Sequence, residues 1–349
     1  MGAAMNPLGD FASSVGQLGN QMGSMLFTPF QVLTGSSTRT DKGTPHVIAN
    51  SWTSPRHRLA DRIFYNLSER DEQQISDLFR DTEPTQGSIV LVPASQEDPL
   101  IPYPDAVSLL EDHAHREKVG AVSVAGVGSS VYGAVGLARD VANATGLSIA
   151  AIVAGYGMDD LMYEAMGGWF CMREVNQWEF ISGQMRVGLA ATVGVMGALP
   201  EIEIWDSAGA GPDLATAKAL LRDGRLPNLK LVVGHSKGNL VLSGALGELV
   251  CEKAHMHLSE IEIVLFSAIS ALPSDVGRRQ TQIIGMLDGL GWTNSRIGIP
   301  FKPVPGAMHH LNRKLPLHLD AEAELAELWK TKAAPASAST ASARSVAGR

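Results

Sequence analysis

The amino-acid sequence predicts an α/β protein with a mostly parallel central sheet, helices on both faces and an N-terminal extension. Three observations predict it. Short apolar runs alternate with segments of helical periodicity across residues 85–330, as strands and covering helices of a parallel sheet do. The 349 residues suffice for one large α/β domain or two smaller ones with a substantial buried core. No internal repeat of useful length is present, which excludes solenoids and propellers.

Taken in order, residues 1–40 are rich in Gly, Ser, Met and Asn, with Asp10 the sole acidic residue before Arg39. Phe11, Val15, Leu18, Met22 and Met25 recur at helical spacing, so this segment reads as an amphipathic helix or a flexible tail. The alternative is docking of residues 1–30 on an apolar surface, a membrane or a lipid or polymer inclusion, without electrostatic help. Residues 41–84 read as a helical extension, with its pattern at Glu69–Arg80. Strands follow at Ser88–Val92, Ala121–Ala125, Leu147–Val153, Leu229–Val233, Ile261–Phe266 and Thr281–Met286. Helices are expected at Ala106–Glu117, Val131–Asn143, Ala215–Arg222, Gly238–Lys253 and Ala321–Lys330. Residues 158–205 form a long insertion before the fourth of these strands, and residues 331–349 lack large apolar side chains and read as a disordered tail.

Charge and composition narrow the function. With 36 acidic and 28 basic residues the net charge is −8, so the chain has no electrostatic footprint for nucleic acid or anionic membranes. Cys171 and Cys251 lie in apolar stretches and are too few for a disulfide framework, which points to reduced core cysteines in a cytoplasmic protein. The N-terminus lacks the basic region of a signal peptide, and the apolar stretch Val187–Pro200 is too short to span a bilayer. The pairs His113/His115 and His255/His257 lie two apart in expected helices, pointing to different faces, so no metal site is assigned.

The chemistry concentrates in LVVGHSKGNL, residues 231–240. Gly234-His235-Ser236-Lys237-Gly238 matches G-x-S-x-G, preceded by a strand pattern and followed by a helix pattern. A sharp strand-to-helix turn between small residues pushes the Ser236 hydroxyl out above the sheet edge. It also leaves the Lys237 backbone N–H at a helix N-terminus, where it can hydrogen-bond an oxyanion. The alternative is an ordinary serine in a glycine-rich bend.

A nucleophilic serine needs a base and a carboxylate to orient it. In this type of fold they follow in the order serine, acid, histidine. Asp288 stands directly beyond an apolar β-rich run, and His309 and His310 lie in a later loop after a Pro-rich segment that can hold the last strand. His309 fits better, three residues after Gly306, with His310 as the alternative base. For Asp288 the competing role is a turn or cap residue; Asp275 and Asp206 are its substitutes. A second oxyanion donor is expected from Val127 and Gly128, in the Gly126-Val127-Gly128-Ser129-Ser130 turn after a strand. That turn lacks the Lys-Ser/Thr ending of a P-loop and the full dinucleotide fingerprint.

This ordered series of loop, elbow, acid and histidine across residues 85–330 resembles the α/β-hydrolases, with a lipase-like GHSKGN elbow, and Gly155-Tyr156-Gly157 is similar to a turn common in that family. The resemblance implies cleavage of small-molecule or lipid-like carboxylic esters through an acyl-enzyme, with no cofactor. Two departures stand out. The segment after Phe266, where many relatives carry a cap, is short, whereas residues 158–205 carry Trp169, Phe170, Trp178 and Phe180, expected as core or as a lid with Trp169 and Phe170 lining the substrate pocket. Two other functions compete: a weakly or non-catalytic protein binding lipid or polyester inclusion surfaces, and an acyltransferase. Oligomeric state is not encoded in any of these signals.

Overall fold

A computed structural model describes residues 61–81, 84–126, 129–154, 211–222, 224–296 and 298–333. The expected N-terminal amphipathic segment, the 158–205 insertion with Trp169 and Phe170, the 334–349 part of the tail, Val127, Gly128, Cys171 and Asp206 all lie outside the described residues.

Described elements run α1 (Glu69–Leu78), β1 (Ile89–Val92), β2 (Ile101–Tyr103), α2 (Ala106–Glu111), α3 (His113–Arg116), β3 (Val119–Val124), α4 (Val131–Thr145) and β4 (Ser148–Ile152). They continue α5 (Pro212–Leu221), β5 (Leu231–His235), α6 (Lys237–Cys251), β6 (Glu262–Phe266), β7 (Arg279–Gly285), α7 (Gly289–Asn294), β8 (Lys302–Val304) and α8 (Ala321–Ala333). Eight strands form one sheet in the order β2-β1-β4-β3-β5-β6-β7-β8. From β4 to β8 every pairing is parallel, while β1 runs antiparallel to both β2 and β4.

Side chains leave the strands alternately to the two faces, and each face has its own helices. Val90, Val92, Ala121, Ile149, Ala151, Leu231, Val233, Val264 and Phe266 pack with Ile75 of α1, Val135 and Leu137 of α4 and Leu325 of α8. Their neighbours Ile89, Leu91, Val122, Ala150, Ile152, Val232, Ile263 and Leu265 pack with Leu109 of α2, Leu220 of α5 and Leu242 and Leu246 of α6. The inner strands are therefore apolar on both faces, and the runs in the sequence are continuous rather than alternating. The edges differ: β2 and β8 are three residues long, and each carries a proline, Pro102 and Pro303.

Helix ends follow from local chemistry. Ser68 and Ser130 cap α1 and α4 by accepting from the N–H groups of Asp71 and Tyr132, and Gly146 ends α4 in the left-handed region at φ 68°. Pro212 opens α5, where its missing N–H costs nothing. Four expectations are corrected. The single helix 106–117 breaks at Asp112, whose carboxylate accepts from the His115 N–H and so ends α2 and starts α3. The strand placed at 229–233 is displaced to Leu231–His235, running into the glycine motif. Cys251 is exposed rather than core, and His255 precedes and His257 lies in a 3-10 segment, Met256–Glu260, rather than both lying in an α-helix. Among the described residues no helix is long and apolar enough to cross a membrane.

Candidate active site

The candidate residues sit at the carboxyl ends of the parallel strands, the place where open α/β sheets bind ligands. Strand β5 ends at His235 and α6 begins at Lys237, so Ser236 alone makes the turn, at φ 54° and ψ −119°. A non-glycine residue in that region holds roughly 1–3 kcal/mol of strain. The flanking glycines are sterically required. A Cβ at Gly234 would come within 3.0 Å of the Asn239 side chain, and one at Gly238 within 3.0 Å of the Val124 backbone carbonyl. The G-x-S-x-G pattern is thus a packing condition for bringing α6 against β3 and β5. Asn239 fastens the turn from below, its buried amide donating to the carbonyls of Phe266 (2.9 Å) and Ala268 (2.6 Å).

Ser236, Asp288 and His309 come together. The Ser236 hydroxyl lies 3.0 Å from His309 Nε2, and His309 Nδ1 lies 2.8 and 3.0 Å from the two carboxylate oxygens of Asp288. A carboxylate only accepts, so Nδ1 carries the proton and Nε2 is free to accept from the serine O–H. Asp288 is fully buried and has both of the roles weighed for it. It orients His309, and it caps α7 by accepting from the Gly291 N–H at 2.6 Å. The serine is only half-buried, which leaves its hydroxyl open to a reactant.

The His309 loop is held from several sides. Leu311 N–H donates to the Phe64 carbonyl at 2.7 Å, Leu287 N–H to the Ala307 carbonyl at 2.9 Å and Met308 N–H to the Leu317 carbonyl at 2.7 Å. Phe64 also meets the His309 ring edge-on, with centroids 5.8 Å apart.

The alternatives fall elsewhere. His310, the alternative base, donates from Nε2 to the Pro316 carbonyl at 3.1 Å, whereas the nitrogen beside Ser236 Oγ belongs to His309. Partial burial lowers the pKa of His310. Asp275 is exposed and takes a hydrogen bond from Ser274. Lys237 is the first residue of α6, with its backbone at the positive end of the helix. Its side chain has a visible electrostatic role: the ammonium tempers the pKa of buried Asp213, which desolvation raises.

Sequence reasoning missed Asp61, Tyr65 and His235. Asp61 accepts from the Ser130 N–H (3.0 Å) and hydroxyl (2.5 Å), at the start of α4. Burial pushes the Asp61 carboxyl up to about 7, against hydrogen bonds from Ser130, Gly133 and Ser129 that pull it down. The Tyr65 hydroxyl touches Gly126 N–H (2.6 Å), His235 Nδ1 (2.8 Å) and Ser129 Oγ (3.2 Å). No local pattern in the sequence marks Asp61 or Tyr65, and His235 occupies an x position of the glycine motif.

Topology, the antiparallel β1 and the strained strand–serine–helix turn define an α/β-hydrolase fold. No protein-family model matches the chain, and no curated sequence matches it. Among solved structures it is similar to EstE7, an HSL homologue from a metagenome library, at 11% identity over 84% of this chain and 99% of that one, with a TM-score of 0.32.

Proposed function

We propose that the protein is a serine hydrolase that cleaves small-molecule or lipid-like carboxylic esters through an acyl-enzyme. One observation carries this reading: a half-buried serine on a strained turn, in line with a histidine whose other nitrogen is fixed by a fully buried carboxylate. Ser236 Oγ attacks the ester carbonyl carbon while His309 Nε2 takes its proton. Negative charge collects on the former carbonyl oxygen, and the N–H of Lys237, with donors from Val127 and Gly128, stabilises it. The C–O bond then breaks, His309 returns its proton to the leaving alkoxide, and the acyl group stays on Ser236. Water attacks in the second half by the same steps reversed. Asp288 stays ionised throughout and offsets the charge of the imidazolium. No step requires a cofactor or a metal.

Transfer of the acyl group to an acceptor other than water would use the same acyl-enzyme. The sequence supports action in the cytoplasm, with residues 1–30 as the segment that would touch an apolar membrane or inclusion surface. The test is labelling with a fluorophosphonate probe. Folded wild type is expected to label at Ser236 and Ser236→Ala is expected not to. An unlabelled wild type, or equal labelling of the variant, would refute the assignment.

A further inference from the structure

We propose that Tyr65 and His235 are positioning residues that lock the oxyanion-side turn to the loop bearing His309, so that the segment before the first strand belongs to the catalytic machinery. The inference rests on the proposed function above. Its starting point is the His309 backbone carbonyl, which lies 3.0 Å from His235 Nε2. A carbonyl only accepts, so Nε2 carries the hydrogen. Burial and the neighbouring His309 hold the His235 ring neutral, with its pKa down at about 3. Nδ1 is therefore bare, and the group it meets at 2.8 Å, the Tyr65 hydroxyl, must donate to it. With its hydrogen spent, the phenol oxygen accepts from the Gly126 N–H at 2.6 Å and from the Ser129 hydroxyl at 3.2 Å.

The result is a chain of hydrogen bonds with one direction: Gly126 N–H to Tyr65 O–H to His235, and His235 Nε2–H to the His309 carbonyl. At one end stands the turn that follows β3 and leads to the expected oxyanion donors. At the other stands the backbone of the base itself. The ring of His235 also lies 5.1 Å from that of His309, centroid to centroid. Ser267 Oγ supplies a second, longer contact to the same carbonyl at 3.3 Å.

Asp61 completes the clamp. The Tyr65 N–H donates to the Asp61 carbonyl at 2.8 Å, one helical turn back, so the two side chains share a face. While Tyr65 holds Gly126 and Ser129, Asp61 holds Ser130. A Cβ at Gly133 would approach within 3.0 Å of the Asp61 carboxylate, which is how close α4 comes to it. Two side chains just upstream of α1 thus grip the residues on both sides of the turn. Tyr65 is 2% exposed and Asp61 likewise 2%.

Such a lock matters because catalysis depends on sub-ångström placement. A shift of about 1 Å at the reacting groups costs on the order of 100-fold in rate, and loss of one oxyanion donor costs about 100- to 1000-fold. Tyr65→Phe keeps the ring and removes the hydroxyl's links to His235, Gly126 and Ser129. His235→Gln keeps an amide donor near the Nε2 position for the His309 carbonyl and loses the acceptor for Tyr65. Each variant is expected to lower kcat by about 10- to 100-fold with KM nearly unchanged.

The decisive measurement is a double-mutant cycle on kcat and on the rate of fluorophosphonate inactivation, with p-nitrophenyl esters as substrate and each protein assayed below its unfolding temperature. Because the two residues act through one link, the double variant is expected to be no slower than the worse single variant by more than a few-fold. Multiplying effects, or a kcat equal to that of an active wild type in both single variants, would overturn the lock and leave the proposed function standing. A wild type that neither turns over esters nor takes the label would remove the proposed function and this inference with it.

Discussion

Replacing Asp61 by Asn, or His235 by Gln, is expected to tilt the dependence of stability on pH in opposite directions. Burial raises the Asp61 carboxyl from 3.8 to about 7. Between those values the native state holds a proton that the unfolded chain has released, and this term lowers stability as pH rises. Burial lowers His235 from 6.5 to about 3. There the unfolded chain holds the extra proton, and this term raises stability with pH. Each slope approaches about 1.4 kcal/mol per pH unit, so from about pH 4.5 to 6 the two nearly cancel in the wild type. Asp61→Asn leaves the His235 slope uncompensated: its unfolding free energy should gain about 2 kcal/mol on wild type across that interval. His235→Gln should lose about the same amount. Urea unfolding at several pH values within the window measures this, and comparison with wild type removes every other titrating group. Variant and wild-type curves that stay parallel would show that these two groups are not held neutral, and would refute the reasoning.

Three further outcomes are expected. Ser236→Gly should be more stable than Ser236→Ala by about 1 kcal/mol, since glycine relieves roughly 1–3 kcal/mol of strain at φ 54° and loses about 0.5–1 kcal/mol in chain entropy; denaturant midpoints of the two inactive variants decide it. Arg139 and Asp71 form a buried ion pair at 2.8 Å. Arg139→Met should cost about 3–5 kcal/mol by leaving Asp71 unpaired, and adding Asp71→Leu should recover most of that in the same assay. Gly238→Ala should strongly destabilise, because its Cβ would overlap the Val124 carbonyl, whereas Gly247→Ala, with open space around it in α6, should stabilise by up to about 1 kcal/mol in thermal unfolding.

Ser236, Asp288 and His309 were legible because each sits beside a local signal: a glycine turn after an apolar run, an Asp-Gly after another, a histidine three residues past Gly306. The sheet was legible for the same reason, its inner strands being apolar on both faces. Tyr65 and Asp61 were not, because nothing near them in the chain marks them. Their partners stand 61 residues away at Gly126, 69 at Ser130 and 170 at His235, and such contacts have no periodicity to read. His235 was hidden differently, inside the recognised motif, where the x positions carry no signal until the backbone carbonyl of His309 is in view. The break at Asp112 escaped because a capping aspartate and a mid-helix aspartate look alike until the side chain chooses its donor. Strand β2 escaped because three residues around a proline give too short a run.

The short outer strands have a consequence for how copies of this protein can meet. A long, flat sheet edge offers a row of open amides and carbonyls on which another chain can continue the ladder. Here each end of the described sheet gives three residues, and a proline at the middle of each removes one donor from the row, Pro102 opposite Val90 and Pro303 opposite Ile284. Growth by strand addition is blunted at both ends. Self-association through the described surfaces would therefore have to use helix or loop faces, and partly unfolded chains that keep this sheet should resist stacking into fibrils.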